Sequence, residues 1–197
     1  MNERITLSTS DGEELEARID SHETPSRSTV WCHPSPLHGG SMNAPLMIAV
    51  TRRLVERGHT VLRFNFRGVG ESTGEHGGGE DELSDIAAAM DHASESGLPL
   101  GIGGWSFGAA MSLKWIASTG ASLPYAGIAP PPEMLPGRLP EGPKTLILGT
   151  RDQVIDGPRL ERYAKMMEID LVSVPGDHFF HGRGAKIGDL VAEALRA

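Results

Sequence analysis

A single cysteine in 197 residues excludes an internal disulfide. Cys32 sits inside the apolar run at residues 29–32, where a buried, inert thiol is expected. A disulfide-stapled secreted scaffold is therefore ruled out, and a reducing, cytoplasmic setting suits the chain. Basic charge is also short: 18 Lys and Arg against 26 Asp and Glu leave a net charge of −8, and the arginines are scattered. Nucleic acid is accordingly not an expected partner. No apolar run approaches the roughly 18 residues of a membrane span, and residues 1–10 contain no apolar signal core. These absences point to a soluble protein with no membrane partner. No H-E-x-x-H, Walker or G-x-G-x-x-G pattern is completed, and His33, His38, His178 and His181 lack a recognised ligand spacing, so neither metal nor organic cofactor is expected.

What is present is the alternation of an α/β protein. Runs at residues 4–9 and 13–20, separated by Ser10-Asp11-Gly12, read as an antiparallel hairpin. Compact apolar runs at 29–33, 60–66, 100–105, 125–129, 145–149 and 171–174 read as buried strands. Helical spacing falls between most of them: Met47, Val50 and Leu54; Leu83, Ile86, Ala87 and Met90; Leu160, Tyr163, Ala164 and Met167; Ile187, Leu190, Val191 and Ala194. Strands alternating with helices imply right-handed crossovers and a mostly parallel sheet in a three-layer α/β fold. Residues 1–197 are expected to form one domain. The segment 130–143, with six prolines and two glycines, should be an irregular loop too short for a folded cap.

Gly104-Trp105-Ser106-Phe107-Gly108 matches G-x-S-x-G, but in a chain with 25 glycines such a match arises easily. Gly70-Glu71-Ser72-Thr73-Gly74 matches equally well. Context separates the two, because a nucleophile elbow needs a buried strand entering the serine and a helix leaving it. Ser106 has both: residues 100–104 are a strand sequence, and residues 109–116 are a helix sequence whose N-terminal amides can stabilise developing negative charge. Ser72 runs instead into the glycine-rich residues 74–79, expected to be a flexible turn.

A serine hydroxyl needs a histidine to take its proton and a carboxylate to orient that histidine. In doubly wound sheets such groups project from the carboxyl ends of strands. The runs at 145–149 and 171–174 are followed by Asp152 and His178, giving the chain order Ser, Asp, His. Asp156 competes with Asp152, but Asp156-Gly157-Pro158 reads as a helix cap. His181 competes with His178 but lies farther from the strand end. The oxyanion donors are expected to be the amide of Phe107 and one from the loop after the third strand, His33 to Gly40. Pro34 and Pro36 have no N–H, which leaves Ser35 as the simplest donor and Leu37 as the alternative. His33 is expected to fix this turn from beneath. Leu37, Met42 and Trp105 are the expected substrate contacts.

Four blocks, His33-Pro34-Ser35-Pro36 with Gly39-Gly40-Ser41-Met42, residues 64–72, residues 104–108, and Gly176-Asp177-His178-Phe179-Phe180, carry a further likeness. Through them the chain resembles compact, cap-less α/β-hydrolases of the dienelactone-hydrolase-like and serine-aminopeptidase-like kinds. Dienelactone hydrolases use a cysteine nucleophile where this chain has Ser106. The resemblance implies an open active site and makes Arg67-Gly68-Val69-Gly70 a structural turn. Together these readings lead to a serine hydrolase, a carboxylesterase for small or short-acyl esters, acting as a monomer or homodimer. A peptidase or amidase on the same three residues, or a non-catalytic binding protein of the same fold, are the alternatives.

Overall fold

The structure, a computed structural model, describes residues 2–196. Its centre is one eight-stranded sheet in the order β1-β2-β4-β3-β5-β6-β7-β8. Strands β1 (Asn2–Ser8) and β2 (Glu14–Ser21) form the antiparallel hairpin, with Gly12 at φ 96° in its turn, and β2 pairs antiparallel with β4 (His59–Phe64). From there the sheet is parallel through β3 (Arg27–Cys32), β5 (Leu100–Trp105), β6 (Tyr125–Ile128), β7 (Lys144–Gly149) and β8 (Asp170–Val174). Helices α1 (Pro45–Glu56) and α5 (Gly184–Ala194) pack on each other, as do α2 (Glu82–Ser94) and α3 (Phe107–Thr119). With α4 (Gly157–Met166), they complete a three-layer α/β architecture without a cap.

The central strands are buried on both faces, which is why β5 reads as an unbroken apolar and glycine run and β3 ends in Val30-Trp31-Cys32 rather than in an alternation. Strand β3 connects through α1 to β4 on one side, whereas the chain reaches β5 on the other. The carboxyl ends of β3 and β5 therefore flank a topological switch point, where α/β sheets open a crevice.

Helix α2 departs from expectation. Its buried face is Glu82, Asp85, Ile86, Ala89, Met90 and Ala93, while Leu83 and Ala87 are only half-buried. The rotation is set by the two carboxylates, each of which has buried work to do. Asp85 accepts three hydrogen bonds from the main chain and side chain of Arg67, whose guanidinium also gives two to Asp11 in the hairpin turn. This network ties β4, α2 and the hairpin together. Glu82 accepts from the amides of Gly77 and Gly79 and lies 2.6 Å from His76 Nδ1. The glycine-rich segment expected to be flexible is thus clamped.

The loop at 130–143 carries a single 3₁₀ turn, Pro132–Met134, and is fastened to α4 by the Tyr163 hydroxyl, which donates to the Pro136 carbonyl. Among the described residues, no helix is long and apolar enough to cross a membrane.

Candidate functional site

Ser106 stands between β5 and α3 with φ 53° and ψ −116°, a backbone conformation that L residues rarely adopt. Such a position costs about 1–3 kcal/mol and persists only where the surroundings enforce it. Here its amide donates to the Ile128 carbonyl on β6 at 2.7 Å, and its carbonyl accepts the first turn's bond from Ala110. The helix can follow so closely because position 108 is glycine: a Cβ there would lie 2.4 Å from the carbonyl oxygens of both Cys32 and His33. Phe107 opens α3, where first-turn amides have no intrahelical acceptor and carry the positive end of the helix dipole.

Asp152 lies in the turn after β7, its amide bonded to the Gly149 carbonyl. One carboxylate oxygen accepts from the amides of Val154 and Ile155, and the other lies 2.8 Å from His178 Nδ1. Burial pushes this carboxyl up, but the hydrogen bonds from His178, Ile155 and Val154 outweigh burial and hold its pKa below the usual value. An ionised Asp152 orients the ring with Nδ1–H toward it, which leaves Nε2 as a proton acceptor. Gly149 lets the two loops meet, since a Cβ there would come within 2.6 Å of the Gly176 carbonyl and 2.8 Å of the Asp177 carbonyl.

Ser106 and His178 open onto the same cavity of about 380 Å³. Ser35, His38 and Gly40 bound it on the β3 side, and Val154 and Phe179 on the other. The cavity wall contains no carboxylate, ammonium or guanidinium among the described residues. Beneath the β3 loop, His33 is fully buried, accepts the Phe66 amide on Nε2 and, through Nδ1–H, donates to the Pro34 carbonyl. Those two bonds fix its neutral tautomer. Burial, opposed by the Pro34 carbonyl, lowers its pKa to about 4. The Ser35 carbonyl accepts the amides of His38 and Gly40, which closes the turn.

The remaining residues singled out in the sequence divide. Trp105 lines the cavity. Met42 does not: it is fully buried, its amide held by Asn65 Oδ1 and its carbonyl by Arg63, so no substrate can touch its side chain. Leu37 sits in the 3₁₀ turn Pro36–His38, 71% exposed, and is not part of the cavity lining. Asp156 caps α4 by accepting from the Arg159 amide. His181 is exposed and paired with Asp177 at 3.5 Å. Ser72 is buried, donates to the Asn65 carbonyl and accepts the Glu16 amide, so its hydroxyl is consumed structurally. Val154 and Phe179 on the cavity rim escaped sequence reasoning; being two residues past Asp152 and one past His178 was the available signal. Among the described residues, no group of three or more His, Cys, Asp or Glu side chains could hold a metal.

A serine raised on a strained elbow at the switch point of such a sheet defines the class of lidless α/β hydrolases. Comparisons agree. Residues 36–132 match the family model described as serine aminopeptidase, S33. An uncharacterised protein of Rickettsia prowazekii is 32% identical over 183 residues, covering 83% of this chain and 76% of its own. Among solved structures, an α/β serine hydrolase homologue from Coxiella burnetii superposes with a TM-score of 0.89 at 29% identity, covering 98% of this chain and 97% of its own. An α/β serine hydrolase without lid from Xanthomonas campestris gives 0.90 at 28% identity, covering 99% and 94%. The chain belongs to the α/β-hydrolase superfamily.

Proposed function

We propose that this α/β serine hydrolase is a carboxylesterase for small, uncharged, short-acyl esters, with Ser106 as nucleophile, His178 as base and Asp152 as the carboxylate that orients it. The observation that carries the proposal is the His178–Asp152 bond of 2.8 Å opening onto the same cavity as the Ser106 elbow. In the first step His178 Nε2 takes the Ser106 proton while Oγ attacks the ester carbonyl carbon. The resulting oxyanion is held by the amides of Phe107 and Ser35; Ser35, unlike Leu37, borders the cavity. His178 then returns the proton to the departing alcohol, leaving an acyl-enzyme. Water, deprotonated by the same imidazole, releases the acid and restores Ser106.

Ester over aminoacyl substrates follows from charge. A substrate α-ammonium entering this cavity would meet no counter-ion, and desolvating an unpaired ammonium costs several kcal/mol. Short acyl groups follow from the absence of a cap, which leaves few apolar groups to grip a long chain. The test is a panel of methyl acetate, methyl butyrate, methyl octanoate and alanine p-nitroanilide. Turnover of the acetate and butyrate above the other two, lost in Ser106→Ala, is expected. Activity rising steadily to the octanoate, or faster cleavage of the anilide, would overturn the assignment.

A further inference from the structure

Beside the cavity that holds Ser106 and His178 lies a second, of about 290 Å³, which the steps above do not use. The two share Pro45, Trp105 and Phe179 as common walls. Past those walls the second runs between α1, at Leu46 and Ala49, and residues 180–184, which follow the histidine in the chain. Its lining is apolar apart from His181, whose imidazole is turned to solvent and paired with Asp177.

Position relative to the histidine gives this space a role. The rings of Trp105, His178 and Phe179 form one cluster, with centroids 5.5 Å apart for His178 and Phe179, 5.8 Å for Trp105 and His178, and 6.0 Å for Trp105 and Phe179. Trp105 and Phe179 thus touch His178 and also line the second cavity. In acyl transfer the leaving oxygen receives its proton from the histidine, whereas the carbonyl oxygen faces the oxyanion amides. The alcohol half of an ester must consequently lie on the His178 side. The acyl half takes the remaining direction, away from both the leaving oxygen and the oxyanion amides.

We propose that the second cavity is the alcohol subsite and takes an apolar, ring-sized alcohol group, with Phe179 and Ala49 determining which alcohols fit. This rests on the esterase assignment above and narrows it to short-acyl esters of aryl-methyl or similar alcohols. Phe179, half-exposed at the junction of the two cavities, forms the wall along which such a ring would lie. Ala49 and Gly184 both line the cavity and are so close that a Cβ on Gly184 would come within 2.5 Å of the Ala49 methyl, so a larger side chain at 49 finds room only at the cavity's expense.

Benzyl acetate and methyl phenylacetate provide the test, because they are isomers that exchange the position of the ring, and their leaving alcohols are similar in acidity. Filling an apolar pocket with even one methylene is worth about tenfold or more in kcat/KM, so benzyl acetate should be preferred by at least about tenfold. Ala49→Leu and, independently, the surface substitution Phe179→Ala should each bring that ratio down toward one. A wild-type ratio at or below one, or a ratio that survives Phe179→Ala, overturns the proposal. If no ester is hydrolysed, methyl acetate included, the esterase assignment falls and the subsite with it; if methyl acetate is hydrolysed and the isomers are not distinguished, only the subsite falls.

Discussion

Acid should weaken this protein through His33 before it touches the carboxylates of the site. The ring is fully buried beneath the Pro34-Ser35 turn, and both of its hydrogen bonds require the neutral tautomer: Nε2 accepts from Phe66 and Nδ1–H donates to Pro34 at 2.6 Å. A proton on Nε2 would face another donor. Burial is the main cause that takes its pKa from 6.5 to about 4, against a smaller upward pull from the Pro34 carbonyl. Because the folded-state value is the lower one, the unfolded chain binds more protons between the two. The stability tied to a neutral ring is therefore complete above about pH 6.5 and is lost as the pH falls toward about 4. At 1.36 kcal/mol for each pH unit, the loss is about 3 kcal/mol. His59, lowered to about 4 chiefly by burial and then by Arg27 and Arg196, acts in the same direction. Urea unfolding followed by circular dichroism at pH 7.5 and pH 4 measures the loss directly. His33→Asn keeps a donor near the Pro34 carbonyl without titrating, so its stability difference between the two pH values should be smaller than wild type's by about 3 kcal/mol. An unchanged difference in the variant would refute the linkage to His33.

Two further substitutions probe the scaffold of the site. Ser72→Ala removes the acceptor of the Glu16 amide and the donor to the Asn65 carbonyl, and should cost about 1–3 kcal/mol in denaturant unfolding while fluorophosphonate labelling proceeds as in wild type. Loss of labelling in the folded variant would show that the second G-x-S-x-G serine matters chemically. Gly149→Ala drives a methyl against the Gly176 and Asp177 carbonyls, and should lower both the unfolding free energy, by about 1–3 kcal/mol of overpacking, and kcat, by displacing His178 from Asp152. Unchanged values of both would mean that the close approach of the two loops is unimportant.

How much of this was legible beforehand depends on whether the cause was local. The hairpin at Ser10-Asp11-Gly12, the turn at Ser106 and the cap at Asp156 follow from neighbouring residues, and the structure forms each at its expected place. Asp152 and His178 could be located because strand ends are where such sheets present side chains, although Gly149, which lets their loops meet, gave no sign of that purpose. Sheet order was not legible: the insertion of β4 between β2 and β3 is a long-range pairing. The same holds for α2, where Leu83 suggested one buried face and the partners of Glu82 and Asp85 impose another. Two carboxylates spaced three apart beside Ile86 and Ala89 were the available warning. Met42 is buried although its loop approaches the site, because Asn65 and Arg63 hold its main chain and its side chain lies in the interior, a long-range cause that its neighbours in sequence do not signal.

The proposed nucleophile is Ser106, with His178 and Asp152 behind it. Intact-protein mass spectrometry after treatment with a fluorophosphonate, followed by peptide mapping, tests it most directly. The wild-type chain should gain one adduct, on Ser106, and Ser106→Ala none; Asp152→Asn should slow the reaction by roughly 10⁴-fold, as expected when the imidazole loses its orienting carboxylate. A folded wild-type protein that gains no adduct, or an adduct that persists in Ser106→Ala, would rule out Ser106 as the nucleophile.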